Sequence, residues 1–259
     1  MERLLQAAEE QDHNISFVST NGYKGMQYWD EARSLLKQKE SQEYQEQDGF
    51  DIDITYTIPI NFSKRFLSNS KVKIGRFDYE STVLPKSLSK FINIPDYIVG
   101  SSDFVLDVFR NAGAKEEKLR KIQSGVDPKI FNSSVEPYKK QSLGLKEDTY
   151  VFLCVAEPHY RKQIDVLMDT FCKTFTRKDN VALVIKTKLF KPEDTKLGFE
   201  QDIGVLLGAT LSKYKHAPTI KLVGGFIPNM AKLYRSANTF VSMTAGEGWG
   251  MPFLEAMAC

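Results

Sequence analysis

Two unbroken apolar runs, residues 150–155 and 181–185, constrain this chain more than any other feature. Each has the length of a strand but lacks the polar alternation of a strand with one wet face. Strands of this kind sit in a sheet covered on both sides, which points to a parallel sheet flanked by helices. The neighbouring segments supply those helices. Residues 164–175 form an amphipathic pattern, 203–214 a further helical stretch and 229–236 a short one, while 220–223 and 239–242 are two more strands. A last helix begins at Pro252, since proline suits the first helical position. Strand and helix alternate, the rhythm of an α/β domain.

The first half repeats that rhythm less cleanly. Leu4, Leu5, Ala7 and Ala8 predict a helix over 1–10, residues 14–20 alternate like a strand, and Asn21 with Gly22 marks a turn. Residues 23–47 read as a mostly polar helix whose charged end, 37–48, is a solvated face. Strands are expected over 51–60, ended by Pro59, over 72–75 and over 97–100. Residues 103–111 predict a helix with Phe104, Val105, Val108 and Phe109 on one face and Gly113 as its stop. A polar, irregular stretch over 131–144 separates the halves. The chain thus divides into two α/β units, residues 1–140 and 147–259.

Composition narrows the function classes. Lys and Arg number 35 against 33 Asp and Glu, a formal charge of +2 that gives no footprint for nucleic acid or an anionic membrane. No apolar run approaches the roughly 18 residues of a transmembrane helix, and the first residues lack the apolar stretch of a secretory signal. The three cysteines are Cys154, Cys172 and Cys259, two of them in apolar surroundings. That odd number argues against a disulfide framework or a zinc cluster and sets the expectation of a cytoplasmic protein. In that setting the Asn-x-Ser sequons at Asn14, Asn61 and Asn132 carry no weight, and His13 and His216 read as surface residues.

Ligands of open parallel sheets bind beyond the carboxyl ends of the strands. Here those positions are 156–162, 186–188, 224–229 and 243–252. The last is the richest. Gly246, Gly248 and Gly250 allow close approach of backbone to a ligand, and amides near Gly250 and Met251 would face a phosphate at the helix start. Glu247 precedes that helix and Glu255 lies one turn inside it; carboxylates there suit the hydroxyls of a sugar or ribose. The same loop also satisfies a plain strand-to-helix turn whose glutamates favour the helix N-terminus. Lys186 and Lys188 follow a buried strand and read as solvated lysines.

As a whole the pattern resembles the nucleotide-sugar glycosyltransferases of family 4, also called group 1, whose signature is a glutamate, seven residues and a second glutamate. Glu247 and Glu255 hold those two places in a Glu-Gly-Trp-Gly-Met-Pro context. Segments 80–85, 101–113, 125–131, 155–165 and 222–237 also look like the family, so the likeness covers roughly residues 72–259. It implies the GT-B architecture, two Rossmann-like parallel-sheet domains with 1–140 on the acceptor side and 147–259 binding the donor. It also implies roles. Glu247 would contact the donor sugar near the reacting face, Glu255 the ribose hydroxyls, and Lys162 would neutralise the departing diphosphate. Arg161 stands beside Lys162, backbone amides around Gly248, Gly250 and Met251 would assist, and Phe226 and Ile227 lie where the base is contacted.

Two side chains keep alternatives. Glu80 either orients an acceptor hydroxyl or is a capping or exposed residue, and His159 either touches donor or acceptor or is a surface loop residue. The implied activity is retaining transfer of a hexose-type sugar from a nucleoside diphosphate to an unidentified carbohydrate, lipid or protein acceptor, with no metal or other cofactor and no nucleic acid. Peripheral membrane contact stays open. The alternative is a non-catalytic, nucleotide-sugar-binding or regulatory relative. That alternative gains from Ala156 and Glu157, which stand where the family has glycine and a phosphate-binding cation, so that Arg161 would have to substitute. The resemblance further implies an internal fragment or a degenerate relative, its first domain lacking the opening strand and its second the C-terminal part.

Overall fold

In the computed structural model the described residues are 51–66, 70–188 and 202–259. The elements expected over 1–10, 14–20 and 23–47, the charged run at 37–48, the Asn21–Gly22 turn, His13 and Asn14 lie outside them. The chain forms two compact units. One holds the described residues up to Phe77 together with Leu84–Val99 and Phe109–Arg120; the other holds Asp78–Val83, Gly100–Val108 and Lys121–Cys259.

The first sheet consists of β1 (Ile52–Tyr56), β2 (Val72–Arg76), β3 (Tyr97–Gly100) and β4 (Leu119–Lys121), in that spatial order. β2 runs parallel to both β1 and β3. β1 ends sooner than expected, because Pro59 has no N–H for a ladder and instead opens a 3-10 turn, Pro59–Asn61, that leads into the single turn α1 (Phe62–Arg65). A second single turn, α2 (Lys86–Ser89), precedes β3. Buried Phe77 stacks on Phe109 at 4.3 Å and meets Phe62 edge-on at 6.0 Å, three rings that anchor the core of this unit.

Helix α3 (Asp103–Asn111) keeps its expected bounds. Ser102 caps it, its hydroxyl accepting from the Val105 amide at 3.2 Å, and Gly113 follows at φ +88°. The expected apolar face needs one correction: Phe104 is 45% exposed while Val105, Leu106, Val108 and Phe109 are buried. At 100° per residue the buried stripe centres between Val105 and Phe109, which leaves Phe104 on its flank.

The second sheet bears out the argument from unbroken apolar runs. β5 (Tyr150–Val155), β6 (Val181–Lys186), β7 (Thr219–Val223) and β8 (Thr239–Phe240) lie in the order β7-β6-β5-β8, and every pairing is parallel. Alternate residues divide between two apolar clusters. Cys154, Leu183 and Ile185 join Ile164, Leu167, Met168 and Phe171 of α4 (Ile164–Thr174) and Ile203 of α5 (Ile203–Leu211). Val151, Leu153, Ala182 and Val184 join Leu233 and Tyr234 of α6 (Met230–Arg235), with Ala256 of α7 (Met251–Ala258) packed behind them. Ala182 to Ile185 are 0% exposed, so both faces of β6 are sealed. At about 1.5–3 kcal/mol per fully buried large aliphatic side chain, this strand alone contributes strongly to the unit's stability.

That strand order positions the site. From β5 the chain steps outward to β6 and β7, then returns to place β8 on the opposite side of β5. The loops after β5 and β8 therefore lie at a topological switch point, the place where ligands of open parallel sheets bind. No helix among the described residues is long and apolar enough to cross a membrane.

Candidate active site

After β5 the chain makes a 3-10 turn, Tyr160–Lys162, and Gln163 then takes the left-handed conformation at φ 48° before α4 begins. The turn places Arg161 and Lys162 side by side at the switch point. After β8 the chain passes through residues 241–250 and enters α7 from Gly250, whose φ of +79° favours a residue without Cβ. Met251 is the first helical residue and Pro252 the second, one position later than the sequence suggests for proline. The Met251 amide has no acceptor within the helix, while the Phe253 amide reaches the Gly250 carbonyl at 3.0 Å.

The two loops are laced together. The Ala245 amide donates to the Arg161 carbonyl at 2.9 Å, the Thr244 hydroxyl donates to the Gly246 carbonyl at 2.9 Å, and the Arg161 guanidinium donates to that same carbonyl. Lys162 Nζ donates to Glu247 Oε1, Arg161 Nη1 lies 3.7 Å from Glu247 Oε2, and Arg161 Nη2 lies 3.1 Å from Glu80 Oε1. The Lys162 and Glu247 side chains are only 13% and 22% exposed, so their attraction is screened far less than that of a surface pair. Two cations and two carboxylates thus close a charge-balanced group. Glu80 is a partner of Arg161 rather than a helix cap.

Residues 78–80 form the other wall of this group. A Cβ at Gly248 would stand 2.8 Å from Asp78 Cβ, and one at Gly246 would stand 3.0 Å from the Glu80 carbonyl oxygen. Buried Ser101 completes the arrangement, its amide donating to Asp78 Oδ1 at 3.2 Å and its hydroxyl to the Gly248 carbonyl at 3.5 Å. The Cβ sides of these two glycines therefore face Asp78 and Glu80 of the protein itself, where the sequence suggests approach of a ligand.

Glu255 stands in different surroundings. It lies in the second turn of α7, and the Tyr234 hydroxyl of α6 donates to its Oε2 at 2.7 Å. Burial pushes the Glu255 carboxyl above the usual glutamate range, and the Tyr234 hydrogen bond pulls it partway back. Burial also raises the Tyr234 phenol, and the neighbouring carboxylate raises it further.

Of the remaining expected residues, Phe226 is 52% exposed in the loop after β7, while Ile227 packs partly buried against the α6 side of the core. His159 sits with Glu157, Nε2 to Oε2 at 3.1 Å, on an exposed part of the loop after β5. Lys188 and His216 are exposed. Lys186 corrects the reading of a solvated lysine: it is partly buried, its Nζ donates to the Gly225 carbonyl at 2.9 Å, and burial lowers its pKa against the opposing pull of Glu157. Tyr234, Asp78 and Ser101 were not foreseen. Tyr234 alone left a signal, since a tyrosine among buried helical positions needs a partner for its hydroxyl. Among the described residues no group of His, Cys, Asp or Glu gathers as a metal site.

Residues 149–259 match the family model described as Glycosyl transferases group 1. This part of the chain is thus similar to group 1 glycosyltransferases. No curated protein sequence matches the chain. Solved structures that resemble it include HepE from Anabaena in complex with UDP and glucose, at TM-score 0.64 and 17% identity over 80% of this chain and 57% of that one. Sucrose-phosphate synthase from Thermosynechococcus elongatus superposes at 0.61 with 18% identity, covering 81% and 54%. A glycosyltransferase from Rickettsia africae gives 0.60 with 16% identity, covering 98% and 66%. The two parallel sheets are therefore those of the GT-B fold. The chain spans little more than half the length of HepE and of the sucrose-phosphate synthase.

Proposed function

We propose that this chain is part of a group 1 glycosyltransferase that binds a nucleoside-diphosphate sugar at the switch point and transfers a hexose-type sugar to an acceptor with retention of configuration. The observation that carries the proposal is the meeting of Lys162 and Arg161 with Glu247 across the two loops, on a domain whose next helix holds Glu255. Each group has a task. Glu255 accepts from the ribose hydroxyls, and exposed Phe226 offers a face to the base. The Met251 amide and the two cations receive the diphosphate. As the bond between the sugar's anomeric carbon and the diphosphate oxygen breaks, its electron pair stays on that oxygen, and the new negative charge is what Lys162 and Arg161 stabilise. The acceptor oxygen then bonds to the same carbon from the face the diphosphate leaves, and its proton passes to the departing diphosphate oxygen. Glu247, exchanged from Lys162 to the sugar hydroxyls, holds the ring while its anomeric carbon is cationic. The cations are drawn from the protein's own side chains, so the reading needs no cofactor.

Calorimetric titration of the chain with UDP, GDP and ADP tests the donor site. One nucleotide binds preferentially, and Glu255→Ala weakens it about 10- to 100-fold, the effect of losing hydrogen bonds to a charged acceptor. Equal affinity in Glu255→Ala and wild type overturns the site. A second reading, donor binding without transfer, is favoured by Glu157 with His159 where a further cation would serve the diphosphate. Tight nucleotide binding with no release of nucleoside diphosphate from any donor sugar selects that reading.

A further inference from the structure

We infer that Tyr234 is a positioning residue for the nucleotide: its hydroxyl fixes Glu255 through Oε2 and thereby leaves Oε1 to accept from the ribose. The inference rests on the donor site proposed above and adds a residue to it. The geometry is specific. Tyr234 is 5% exposed and sits on α6, and its ring is held by Phe131 at 6.1 Å and Phe240 at 6.0 Å, with Phe240 in turn edge-on to Phe253 of α7 at 5.2 Å. A ring wedged in this way cannot swing, so the 2.7 Å hydrogen bond sets the rotation of the Glu255 carboxylate. Among the described residues no other group engages that carboxylate.

The same contact controls protonation. A ribose presents two hydroxyl donors, and a protonated carboxyl loses one of its acceptor positions. The charged and titratable groups around the pair are Cys154 of β5, Cys259 after α7 and Arg235 of α6, whose guanidinium donates to the Cys259 carbonyl at 2.9 Å. Burial pushes the Cys154 thiol up to about 12 and raises Cys259 as well, so both are neutral near pH 7. Tyr234 is thus the group that opposes the effect of burial on Glu255. Without its hydroxyl the carboxyl protonates at higher pH, and nucleotide affinity falls away sooner as pH drops.

Tyr234→Phe keeps the ring and removes only the hydroxyl. Calorimetry with the preferred nucleoside diphosphate at pH 7 is expected to show affinity reduced about 3- to 10-fold, and the pH at which affinity declines moves upward relative to wild type. In the Glu255→Ala background the same substitution changes affinity no further, since the partner it orients is gone. Should Tyr234→Phe fail to fold, 3-fluorotyrosine at position 234 keeps the shape and donates a stronger hydrogen bond; the decline then moves to lower pH. Unchanged affinity and pH profile in these variants, or an equal loss in the Glu255→Ala background, overturns the inference. If Glu255→Ala itself leaves affinity intact, the donor-site reading fails instead, so the two failures are told apart.

Discussion

Glu247 and Glu255 stand in one motif with seven residues between them, yet the protein places them in opposite electrostatic settings. Glu247 lies in a loop and is neutralised by Lys162 and Arg161. Glu255 lies on a helix and, among the described residues, its carboxylate pairs with no cation but accepts from the neutral phenol of Tyr234, while burial works against its charge. In the proposed function the first arrangement holds cationic partners for a diphosphate. The second, on the same proposal, keeps a desolvated acceptor for neutral hydroxyls, which bind a carboxylate more firmly where water is scarce. The two settings differ because the halves of the motif rest on different elements, the loop at the switch point and the packed face of α7.

The largest effect that separates the two is expected from Lys162→Ala. Removing the cation proposed to meet the leaving group should lower kcat/KM by roughly 10²- to 10³-fold, the range found when one stabilising donor of a developing charge is lost. Release of nucleoside diphosphate from the donor sugar measures it, with water taking the sugar in place of the acceptor. Nucleotide binding through Glu255 should persist, weakened by less than turnover is. A loss of only a few fold would move the charge-stabilising task to Arg161 or to Lys186.

A smaller effect is expected from Gly248→Ala, which tests the wall behind Glu247 alone. The new Cβ would stand 2.8 Å from Asp78 Cβ, so backbone must shift on one side or the other. Overpacking of this kind costs about 1–3 kcal/mol, read as a lower midpoint in urea unfolding. Because Glu255 draws nothing from residues 78–80, nucleotide affinity should stay within about 2-fold of wild type if α7 is independent of that wall. Loss of affinity equal to the Glu255→Ala loss would show that the two halves move together.

The sequence made the second sheet legible and the first only in part. Runs such as β5 and β6 carry a signal in every residue, and the two apolar clusters divide by the parity those runs imply. β4 has three residues and β8 has two, too few for any period, so β4 went unread and β8 was drawn too long. The site followed the same rule. Glu247, Glu255, Arg161 and Lys162 are visible as residues in a patterned context, but their partners are not. Glu80 meets Arg161 only because residues 78–83 join the second unit, and Tyr234 reaches Glu255 across 21 residues only once α6 packs on α7. Lys186 misled for a related reason: a charged residue ending a strand looks solvated until the turn at Gly225 is seen to cover it.

The smallest effect is the most selective for the Glu255 side, and its sign follows from the direction of one pKa. Burial holds the Glu255 carboxyl above its unfolded value despite the Tyr234 hydrogen bond. A carboxyl raised in the folded state binds its proton more tightly there, so folding gains below the unfolded value and loses that gain as pH rises through the folded one. At pH 8 the ionised carboxylate therefore burdens the fold, and Glu255→Gln, which still offers Tyr234 an acceptor, removes the burden. The difference in melting temperature between Glu255→Gln and wild type should be more positive at pH 8 than at pH 4.5, while nucleotide affinity at pH 8 is lower in the variant. The matching substitution at Glu247 should not show that pattern, because there it strips Lys162 of its counter-charge and leaves a partly buried cation unpaired. A difference for Glu255→Gln that does not grow with pH would mean that Glu255, like Glu247, is held by charge.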